Sequence, residues 1–509
     1  MVSKVYTLGY YGLEAYPVEI EVDIQRSLPA FTVIGLGDAR VKESRERIRA
    51  SLKNAGFNFP SQRITINLAP ANIKKEGTHY DLAGALGLLN SSHQINCSFK
   101  DYIILGELSL EAKVRPVRGV FPMALKARAL NKKLIVPQAN AREAGLIRGL
   151  KVFPVCSLEE AVALVSGMIK VEPLCLNTEE QTSAAPEYNL DFSEVKGQIF
   201  AKRALEVAVS GMHNILLIGP PGVGKTMLAR RLPTILPDMD FEEVLGVTRI
   251  YSVAGLLDSN RPLVRQRPFR SPHHTCSSVA LVGGGANIRP GDISLAHNGV
   301  LFLDELPEFS RDTLEALRQP LEDGVVHISR AARHMRLPSR FLLAAAMNPC
   351  PCGYYGSQDK ACHCSAYQIQ KYRNKISGPL LDRMDLHVEL QNIKLDCLMS
   401  DSLPSETSAE IKQRVESARS VQKQRFGAEG QSFNSRMDHK QIKKYCILDK
   451  EGQNLLKAAV REFGFSARAY AKILKVSRTI ADLAGSDKIT ASHIAEAVQY
   501  RSLDKNLWI

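Results

Sequence analysis

Short, uninterrupted apolar runs in the middle of the chain predict the strands of a buried parallel sheet. They cover residues 215–218, 300–303 and 341–347. Runs of this length and composition are typical of strands that helices cover on both faces. Residues 227–232, which follow the first run and a glycine-rich loop, predict a helix. This succession of strand, loop and helix predicts an α/β domain, which we place over residues 191–395.

Weaker patterns divide the rest of the chain. Residues 64–70 alternate apolar and polar side chains as a strand does, and residues 81–89 begin as a capped helix does, so residues 1–170 predict a separate domain. Residues 171–190 are polar and predict a linker. Residues 396–509 predict a helical C-terminal domain. Its helices are expected at residues 409–424, 455–463, 467–484 and 490–500.

The glycine-rich loop after the first strand fits the phosphate-binding pattern G-x-x-x-x-G-K-[ST]. Glycines let backbone N–H groups approach a phosphate closely, and the start of a helix presents unpaired N–H donors to the same anion. Lys225 can reach the β- and γ-phosphates of ATP, and the hydroxyl of Thr226 can hold Mg²⁺. The predicted ATP-binding residues are Gly219, Pro220, Pro221, Gly222, Val223, Gly224, Lys225 and Thr226.

The second and third strands end at polar residues that complete a hydrolytic site. Asp304 and Glu305 follow the second strand, and Asn348 follows the third. The carboxyl ends of parallel strands are where α/β proteins keep their sites. We therefore expect Asp304 to hold Mg²⁺ through water, Glu305 to polarise the attacking water, and Asn348 to orient that water.

Two later arginines are candidates for contact with the γ-phosphate. Arg383 is a candidate arginine finger, supplied to the nucleotide of a neighbouring subunit. Arg468, in the predicted C-terminal helices, is a candidate for a second contact, in cis or in trans. Taken alone, each of these arginines is more commonly a solvated surface charge.

In this order, the motifs resemble the AAA+ ATPase module. Residues 269–275 (FRSPHHT), 282–285 (VGGG) and 290–305 (PGDISLAHNGVLFLDE) further resemble the magnesium-chelatase clade, and within it the bacterial YifB/ComM group. The resemblance extends over nearly the whole chain. It implies an AAA+ P-loop core with a helical C-terminal lid, in a hexameric ring ATPase that acts on DNA. For the ComM proteins it implies branch migration during natural transformation.

The long separation of Lys225 from Asp304 leaves room for an insert. Glycines at 283–285 and the pair Pro290-Gly291 mark a turning segment within it. In the related ring ATPases such an insert reaches into the central pore. The alternative is an ordinary surface loop.

Residues 1–170, which include a predicted hairpin or meander at 106–117, resemble the Lon peptidase domain, an S5-like α+β fold. The catalytic Ser and Lys of that family correspond here to Leu82 and Phe121. Because a Ser–Lys dyad needs both groups, we predict no peptidase activity. The domain is expected to persist as a scaffold or DNA-binding platform. Its basic residues Arg45, Arg47, Arg49 and Lys53 are expected to form a solvated helix face rather than a binding stripe.

Residues 324–337 predict a β-hairpin with a basic tip. Apolar and polar residues alternate on both sides of the tip sequence Arg-Ala-Ala-Arg. In related helicases a hairpin at this place contacts DNA in the pore. Arg330, Arg333 and Arg336 are therefore the candidates for phosphate contacts. The alternative is a solvated edge hairpin whose charges prevent aggregation.

The charge balance agrees with a nucleic-acid partner without requiring one. Lys and Arg number 66 against 53 Asp and Glu, which gives a net charge of +13 and a pI near 9.2. Such a balance favours polyanionic partners. Only 6% of residues are aromatic, so base stacking is not an obvious binding mode. We expect single-stranded or branched DNA to be held by its phosphates.

Four of the ten cysteines are clustered. Two C-x-C pairs can supply four thiolates to tetrahedral Zn²⁺, although the usual spacing is C-x₂-C and His363 could replace one thiol. The predicted Zn²⁺ ligands are Cys350, Cys352, Cys362 and Cys364. The sequence shows neither a signal peptide nor a membrane-spanning apolar run. We therefore expect a cytoplasmic protein without a membrane partner and with reduced thiols.

Together these features predict a cytoplasmic, homohexameric AAA+ ATPase that uses ATP and Mg²⁺ to translocate on DNA as a branch-migration helicase. One alternative is a magnesium-chelatase-like motor that remodels a protein partner, and the basic hairpin and the N-terminal domain count against it. Another is a binding scaffold with weak ATPase activity, against which the complete hydrolytic carboxylates count.

Overall fold

The computed structural model describes most of the chain and separates it into two compact units. The first comprises Met1–Ala184 and Phe241–Val264, and the second comprises Ala185–Asp240 and Arg265–Ile509. Each unit has its own hydrophobic core. The described residues are 2–174, 188–258, 261–285, 289–330, 333–357, 360–392, 406–427 and 433–503, without the side chains of residues 329, 330, 333 and 334.

A four-stranded sheet with two helices forms the beginning of the first unit. Its elements are β1 Ser3–Tyr11, β2 Glu14–Gln25, β3 Ala30–Ile34, α1 Ala39–Asn54, β4 Arg63–Ala69 and α2 Asp81–Ser91. The strand order is β1-β2-β4-β3, with β3 parallel to β4 and the other neighbours antiparallel. Alternate strand residues such as Ile20 and Ile64 pack with Leu86 of α2 in one core. The predicted strand and helix are confirmed here.

A second layer continues the first unit. Its elements are β5 Tyr102–Ile104, β6 Glu107–Leu108, β7 Val114–Arg115, α3 Val120–Ala129, β8 Lys133–Pro137, α4 Ala141–Gly145, β9 Val152–Val155 and α5 Leu158–Val165. Strands β5, β8 and β9 form a parallel sheet, and β6 pairs with β7 in an antiparallel hairpin. The hairpin predicted within residues 106–117 is therefore confirmed.

The second unit begins with the elements that surround the P-loop. They are the 3₁₀ turn Phe192–Glu194, α6 Ile199–Gly211, β10 Ile215–Ile218, α7 Lys225–Arg230 and α8 Leu232–Ile235. The helix predicted over residues 227–232 is thus divided in two. Pro233, in the first turn of α8, has no N–H with which to continue the hydrogen bonding of α7.

The chain then returns to the first unit through α9, Phe241–Ala254. The boundaries predicted from the sequence place this segment in the α/β domain, whereas the structure packs it against α3. The Oγ atom of Ser252 donates to Oε1 of Glu143 at 2.5 Å. The backbone carbonyl of Ser252 accepts from the N–H of Gly119 at 3.2 Å. Leu245 and Leu263 add apolar contacts. Ser252 and Glu143 are 109 positions apart, so local sequence could not reveal this packing.

The chain continues in the second unit through short elements. They are β11 Phe269–Arg270, α10 Ser278–Val282, β12 Gly283–Gly284, β13 Arg289–Pro290, α11 Asp292–Leu295, β14 Val300–Leu303, α12 Arg311–Glu315, α13 Arg318–Asp323, β15 Val325–Arg330, β16 Arg333–Pro338 and β17 Leu342–Met347. A 3₁₀ turn, Leu306–Glu308, follows β14.

Helices dominate the remaining part of the second unit. The elements are α14 Ala366–Arg373, α15 Gly378–Leu381, β18 Leu386–Glu389, α16 Ser408–Phe426, α17 His439–Tyr445, α18 Lys450–Phe463, α19 Ala467–Leu483 and α20 Ala491–Gln499. The four helices predicted for this region are confirmed with slightly different ends. Helix α17 was not predicted, because it is short and buries none of its side chains.

Five strands of the second unit form one parallel sheet in the order β11-β14-β17-β10-β18. Every residue of β10, β14 and β17 is buried, as expected for strands covered on both faces. The α/β class and the three apolar strands are therefore confirmed, with β17 beginning one residue later than predicted. The carboxyl ends of β10, β14 and β17 meet at one edge of this sheet.

Two β-hairpins lie against each other in the same unit. Strand β12 pairs with β13, and β15 pairs with β16, both antiparallel. The apolar residues of β15 and β16 are buried, whereas His327 and Arg336 are exposed, which confirms the predicted alternation. A Cβ atom at Gly283 would lie 3.1 Å from Cδ1 of Ile328, so the glycine hairpin touches the middle of strand β15 of the basic hairpin.

Within the part of the chain that the structure describes, none of the helices has both the length and the apolar character needed to cross a membrane.

Candidate nucleotide site

The P-loop connects β10 to α7 at the carboxyl edge of the parallel sheet. Gly222 and Gly224 have φ angles of 81° and 95°, in the left-handed region that favours glycine. Gly224 is also the N-cap of α7 and brings no side chain to the free N–H groups there. The loop therefore has the backbone geometry with which such motifs hold phosphate.

Lys225 joins the P-loop to the end of β17. Its Nζ atom donates to the carbonyls of Gly219 at 2.6 Å and Pro220 at 2.8 Å, and to Oδ1 of Asn348 at 3.0 Å. Burial lowers the pKa of Lys225 to about 8, although the charges of Asp304 and Glu305 act in the opposite direction. The structure thus brings together the predicted phosphate-binding lysine and the predicted water-orienting amide.

Thr226 and Asp304 meet at the same edge. The Oγ1 atom of Thr226 donates to Oδ2 of Asp304 at 2.7 Å. A hydroxyl and a carboxylate oxygen are ligands that Mg²⁺ prefers, and Mg²⁺ sites in nucleotide enzymes use few protein ligands beside substrate phosphates. These two side chains therefore fit the ion that the P-loop motif implies.

Glu305 has a special backbone and a partner that sequence reasoning missed. Its φ of 51° places it in the left-handed region, and its side chain is 58% exposed. The Oε2 atom of Glu305 lies 3.3 Å from Nδ1 of His274. The ring of His274 is itself held by the neighbouring ring of His273, with centroids 4.2 Å apart, and by the edge of Phe309. The adjacent histidines of the sequence FRSPHHT were the available signal.

The cysteine-containing loop after Asn348 touches the P-loop. A Cβ atom at Gly353 would lie 2.7 Å from Cδ of Pro221 and 3.9 Å from Cγ of Asn348. The side chain of Arg373 in α14 donates to the carbonyl of Pro349 at 3.2 Å. The conformation of this loop is therefore coupled to that of the nucleotide site.

The four clustered cysteines converge in space. The Sγ atoms of Cys350, Cys352, Cys362 and Cys364 all lie within 4.8 Å of one another. Three of the separations are 3.3, 3.6 and 3.7 Å, against about 3.8 Å between thiolates on a tetrahedral Zn²⁺ with 2.3 Å bonds. A hydrogen bond from the backbone of Tyr354 lowers the pKa of Cys352 to about 6. Four convergent thiols form a donor set that suits zinc.

The two candidate arginines lie close to each other and away from their own P-loop. Arg383 donates to the carbonyl of Pro379 at 2.5 Å and forms an ion pair with Glu322. An Nη1 atom of Arg468 lies 3.7 Å from Oδ2 of Asp382, the residue before Arg383, and its side chain is 72% exposed. Neither arginine contacts the P-loop among the residues that the structure describes.

The basic hairpin is only partly described at its tip. Arg336 is exposed and faces the same side as His327, its partner across the strands. The backbones of Arg330 and Arg333 pair with each other, but their side chains lie outside the described residues. The structure therefore gives an accessible position for one of the three predicted DNA-binding arginines.

In the first unit, the residues that correspond to a peptidase dyad belong to the core. Leu82 and Phe121 are both fully buried among apolar side chains. Beside Leu82, the carboxylate of Asp81 pairs with Nε of Arg47 at 2.6 Å. Burial raises the pKa of Asp81 to about 6, against the opposing effect of Arg47. Both dyad positions thus carry side chains without a nucleophile or a base.

Three protein-family models match the chain. The model described as magnesium chelatase, subunit ChlI, matches residues 191–398. Subunit ChlI of Mg-chelatase matches residues 20–140, and the ChlI C-terminal model matches residues 405–501. The first of these matches contains the whole five-stranded parallel sheet of the second unit, together with the hydrolytic residues Asp304, Glu305 and Asn348.

Two of the similar proteins align along nearly the whole chain, and a third aligns along about half of it. Uncharacterized protein YifB of Escherichia coli is 43% identical over 99% of this chain and 98% of its own length. Competence protein ComM of Haemophilus influenzae is 43% identical over 98% of this chain and 97% of its own. The magnesium-chelatase 67 kDa subunit of Heliobacterium mobile is 26% identical over 48% of this chain and 40% of its own.

Proposed function

Because the chain belongs to the YifB/ComM family of magnesium-chelatase-like AAA+ ATPases, we propose that it is a ring-forming motor that hydrolyses ATP to translocate on DNA. Its proposed task is branch migration during natural transformation or homologous recombination. One observation carries the proposal: a complete set of hydrolytic side chains belongs to the same compact unit as an exposed basic hairpin.

The nucleotide chemistry follows from the edge of the sheet. Lys225 turns from the P-loop carbonyls toward the β- and γ-phosphates, and Asn348 holds the attacking water in line with the γ-phosphate. Thr226 and Asp304 would hold Mg²⁺, which supplies charge neutralisation on the phosphates. Glu305 accepts a proton from the attacking water, and its partner His274 keeps the carboxylate in place.

Arg383 and Arg468 are assigned to the neighbouring subunit's nucleotide. Support for action in trans comes from their position next to each other and their lack of contact with their own P-loop among the described residues. The carboxylate of Glu322, which is 60% exposed, can release Arg383 when a phosphate becomes available. When both arginines act across the subunit interface, ATP hydrolysis depends on assembly of the subunits. This dependence is expected of a homohexameric ring.

The basic hairpin is proposed as the element that holds DNA. Arg336 is exposed, and the glycine hairpin β12–β13 packs against Ile328 of the same basic hairpin. In a ring, equivalent hairpins would converge on the central axis and sum their positive potential there. Phosphate contacts by Arg330, Arg333 and Arg336 would permit binding without sequence preference.

Zinc is proposed as a structural cofactor of the cysteine loop. Cys350, Cys352, Cys362 and Cys364 would hold the ion, and the protein's own contact between Gly353 and Pro221 connects that loop to the P-loop. A closed four-thiolate site contributes folding energy rather than catalysis.

The test is the ATPase rate with and without single-stranded and branched DNA at two salt concentrations. DNA stimulation that weakens with salt supports the motor, because phosphate contacts release counterions. The variant with Arg330, Arg333 and Arg336 all changed to Gln should lose the stimulation, whereas Arg115→Gln in the first unit should keep it. The absence of any DNA response would favour a magnesium-chelatase-like motor that remodels a protein partner, a candidate that the Heliobacterium similarity supports.

A further inference from the structure

Two arginine–phenylalanine pairs lie side by side on the surface of the first unit. The guanidinium carbon of Arg45 lies 5.9 Å from the ring centroid of Phe31, and that of Arg49 lies 5.7 Å from the ring centroid of Phe59. The two rings stack with their centroids 6.3 Å apart and their planes 22° apart. These four residues are called the Arg–Phe ladder below.

The Arg–Phe ladder lies at an open edge of the four-stranded sheet. Phe31 belongs to β3, the outermost strand, and Phe59 lies in the connection between α1 and β4. Arg45 and Arg49 are one turn apart on α1, so they leave the helix on the same face. The rings are half-buried and the arginines are exposed. The ladder is therefore anchored in the core at its base and accessible at its charged end.

Arg45 and Arg49, the two arginines of the ladder, differ from Arg47, which lies between them in the sequence. Arg47 is used within the fold, because it pairs with the buried carboxylate of Asp81. Arg49 forms no ion pair with a carboxylate in the described part of the chain. The carboxylate nearest to Arg45 belongs to Glu46 at 3.4 Å, and that side chain is 70% exposed, so solvent screens the pair. The ladder thus presents positive charge that the fold itself does not need.

We propose that the Arg–Phe ladder binds single-stranded DNA, as a second DNA site besides the basic hairpin. A guanidinium held beside an aromatic ring keeps its N–H donors available, which suits bidentate contact with a phosphate. Arginines one helical turn apart can contact neighbouring phosphates, and the exposed ring edges offer apolar surface to bases. This proposal goes beyond the expectation from the sequence, which places Arg45 and Arg49 on a solvated helix face.

This inference rests on the proposed function, since it names where the first unit of a DNA motor holds the strand. It is tested with the full-length chain and a fluorescein-labelled oligothymidylate, by fluorescence anisotropy over a series of salt concentrations. The ladder variant is Arg45→Gln with Arg49→Gln. The matched control is Lys113→Gln with Arg115→Gln, which removes two exposed cations from the same unit.

The ladder variant is expected to raise the Kd about 20-fold near 0.1 M salt, as two single-strand phosphate contacts do by counterion release. The slope of log Kd against log salt should fall by about 1.4 for each ladder that contacts the strand. The control pair should bind like the unchanged protein. A second variant, Phe31→Leu with Phe59→Leu, keeps the charges and should weaken binding without changing the salt slope.

Equal Kd values for the ladder variant and its control would overturn the inference. If the hairpin variant alone then lost affinity, the proposed function would stand without a ladder site. If the unchanged protein bound no oligothymidylate at any salt concentration, the ladder site would fail, and the response of the ATPase rate to branched DNA would then decide the proposed function. A normal far-ultraviolet circular dichroism spectrum for each variant shows that a loss of binding is not a loss of folding.

Discussion

Nδ1 of His274 lies 3.3 Å from Oε2 of Glu305, the carboxylate that we assign to water activation. This contact matters because the side chain of Glu305 is largely exposed and little else restrains it. The backbone of Glu305 has a left-handed conformation. The position of a general base relative to its water strongly affects the rate. His274 is therefore assigned as a positioning residue for Glu305.

Replacement of His274 by Ala should lower kcat roughly tenfold while leaving the Kd for ATP unchanged, because the base loses its restraint but not its chemistry. His274→Asn, which keeps a side-chain donor, should recover most of the rate. His439→Ala, at an exposed histidine of α17, is the matched control. A kcat for His274→Ala equal to that of the control would remove the positioning role.

Replacement of Glu305 by Gln should lower kcat by about 10²- to 10⁴-fold, the usual contribution of a general base. ATP binding should be preserved, because phosphate contact depends on Lys225 and the P-loop. Steady-state ATPase assays and equilibrium binding of a fluorescent ATP analogue give the two values. Glu308→Gln, nearby and outside the site, should behave like the unchanged protein. Normal turnover by Glu305→Gln would assign water activation to another group.

Replacement of Arg383 by Ala should reduce ATP hydrolysis by about 10³-fold or more without weakening ATP binding, as loss of an arginine finger does. Action in trans predicts complementation: mixed assemblies of Arg383→Ala and Lys225→Ala chains should regain activity that neither variant has alone. Arg318→Ala, which removes an exposed arginine paired with Glu315, serves as the control. Failure of the mixture to regain activity would contradict action across a subunit interface.

Metal analysis of the purified protein should find one zinc per chain. Cys350→Ser with Cys362→Ser should abolish zinc content and weaken ATP binding, because the cysteine loop packs against Pro221 of the P-loop. Cys156→Ser, at an exposed cysteine outside the cluster, should change neither value. Protein without zinc but with ordinary ATP affinity would show that the four thiols serve another purpose.

Asp385 is expected to stabilise the second unit in a pH-dependent way. Burial tends to raise its pKa, but Lys472 at 2.9 Å and His213 at 3.7 Å lower it well below its usual value. The folded protein therefore keeps Asp385 ionised at a lower pH than the unfolded chain does. In the unfolded chain the pKa of an aspartate is about 3.9. Its contribution is complete above about pH 4 and is lost as the pH falls further.

Asp385→Asn should therefore destabilise the protein at neutral pH by about 3 kcal/mol, since it leaves the buried Lys472 without its counter-charge. Thermal unfolding followed by circular dichroism measures the change. Asp238→Asn removes a carboxylate from a more exposed pair with Lys412 and should cost much less. The difference between the variants should shrink below about pH 4. A difference that is constant with pH would exclude titration of Asp385 as its cause.

The sheet and the geometry of the candidate nucleotide site were predictable because their signals are local. Strands β10 and β14 match the predicted limits, since each residue is buried and the run is apolar from end to end. Asp304 and Asn348 directly follow strand ends, and Lys225 and Thr226 begin the helix after the P-loop, so the geometry of a parallel sheet brings them together. For these residues the sequence pattern alone indicates which side chains lie close together in the structure.

The parts that sequence reasoning missed depend on contacts between distant residues. The pairing of His274 with Glu305 requires the end of β11 to lie beside the end of β14, and nothing in the chemistry of a histidine pair indicates that neighbour. The Arg–Phe ladder was interpreted as a solvated face, because Phe31 and Phe59 lie outside the helix that carries the arginines. In both cases the sequence shows the residue types but does not identify the distant residues that they contact.

The return of α9 to the first unit has a consequence for the gene. Because this unit is assembled from two stretches separated by the P-loop, no single cut in the coding sequence can detach it. A truncation at the polar linker would remove Glu143 and leave Ser252, Leu245 and Leu263 without their partners. Exchange of the N-terminal domain by recombination at that linker would therefore pair α9 with a foreign partner surface. Changes in the N-terminal stretch and in α9 are expected to be inherited together.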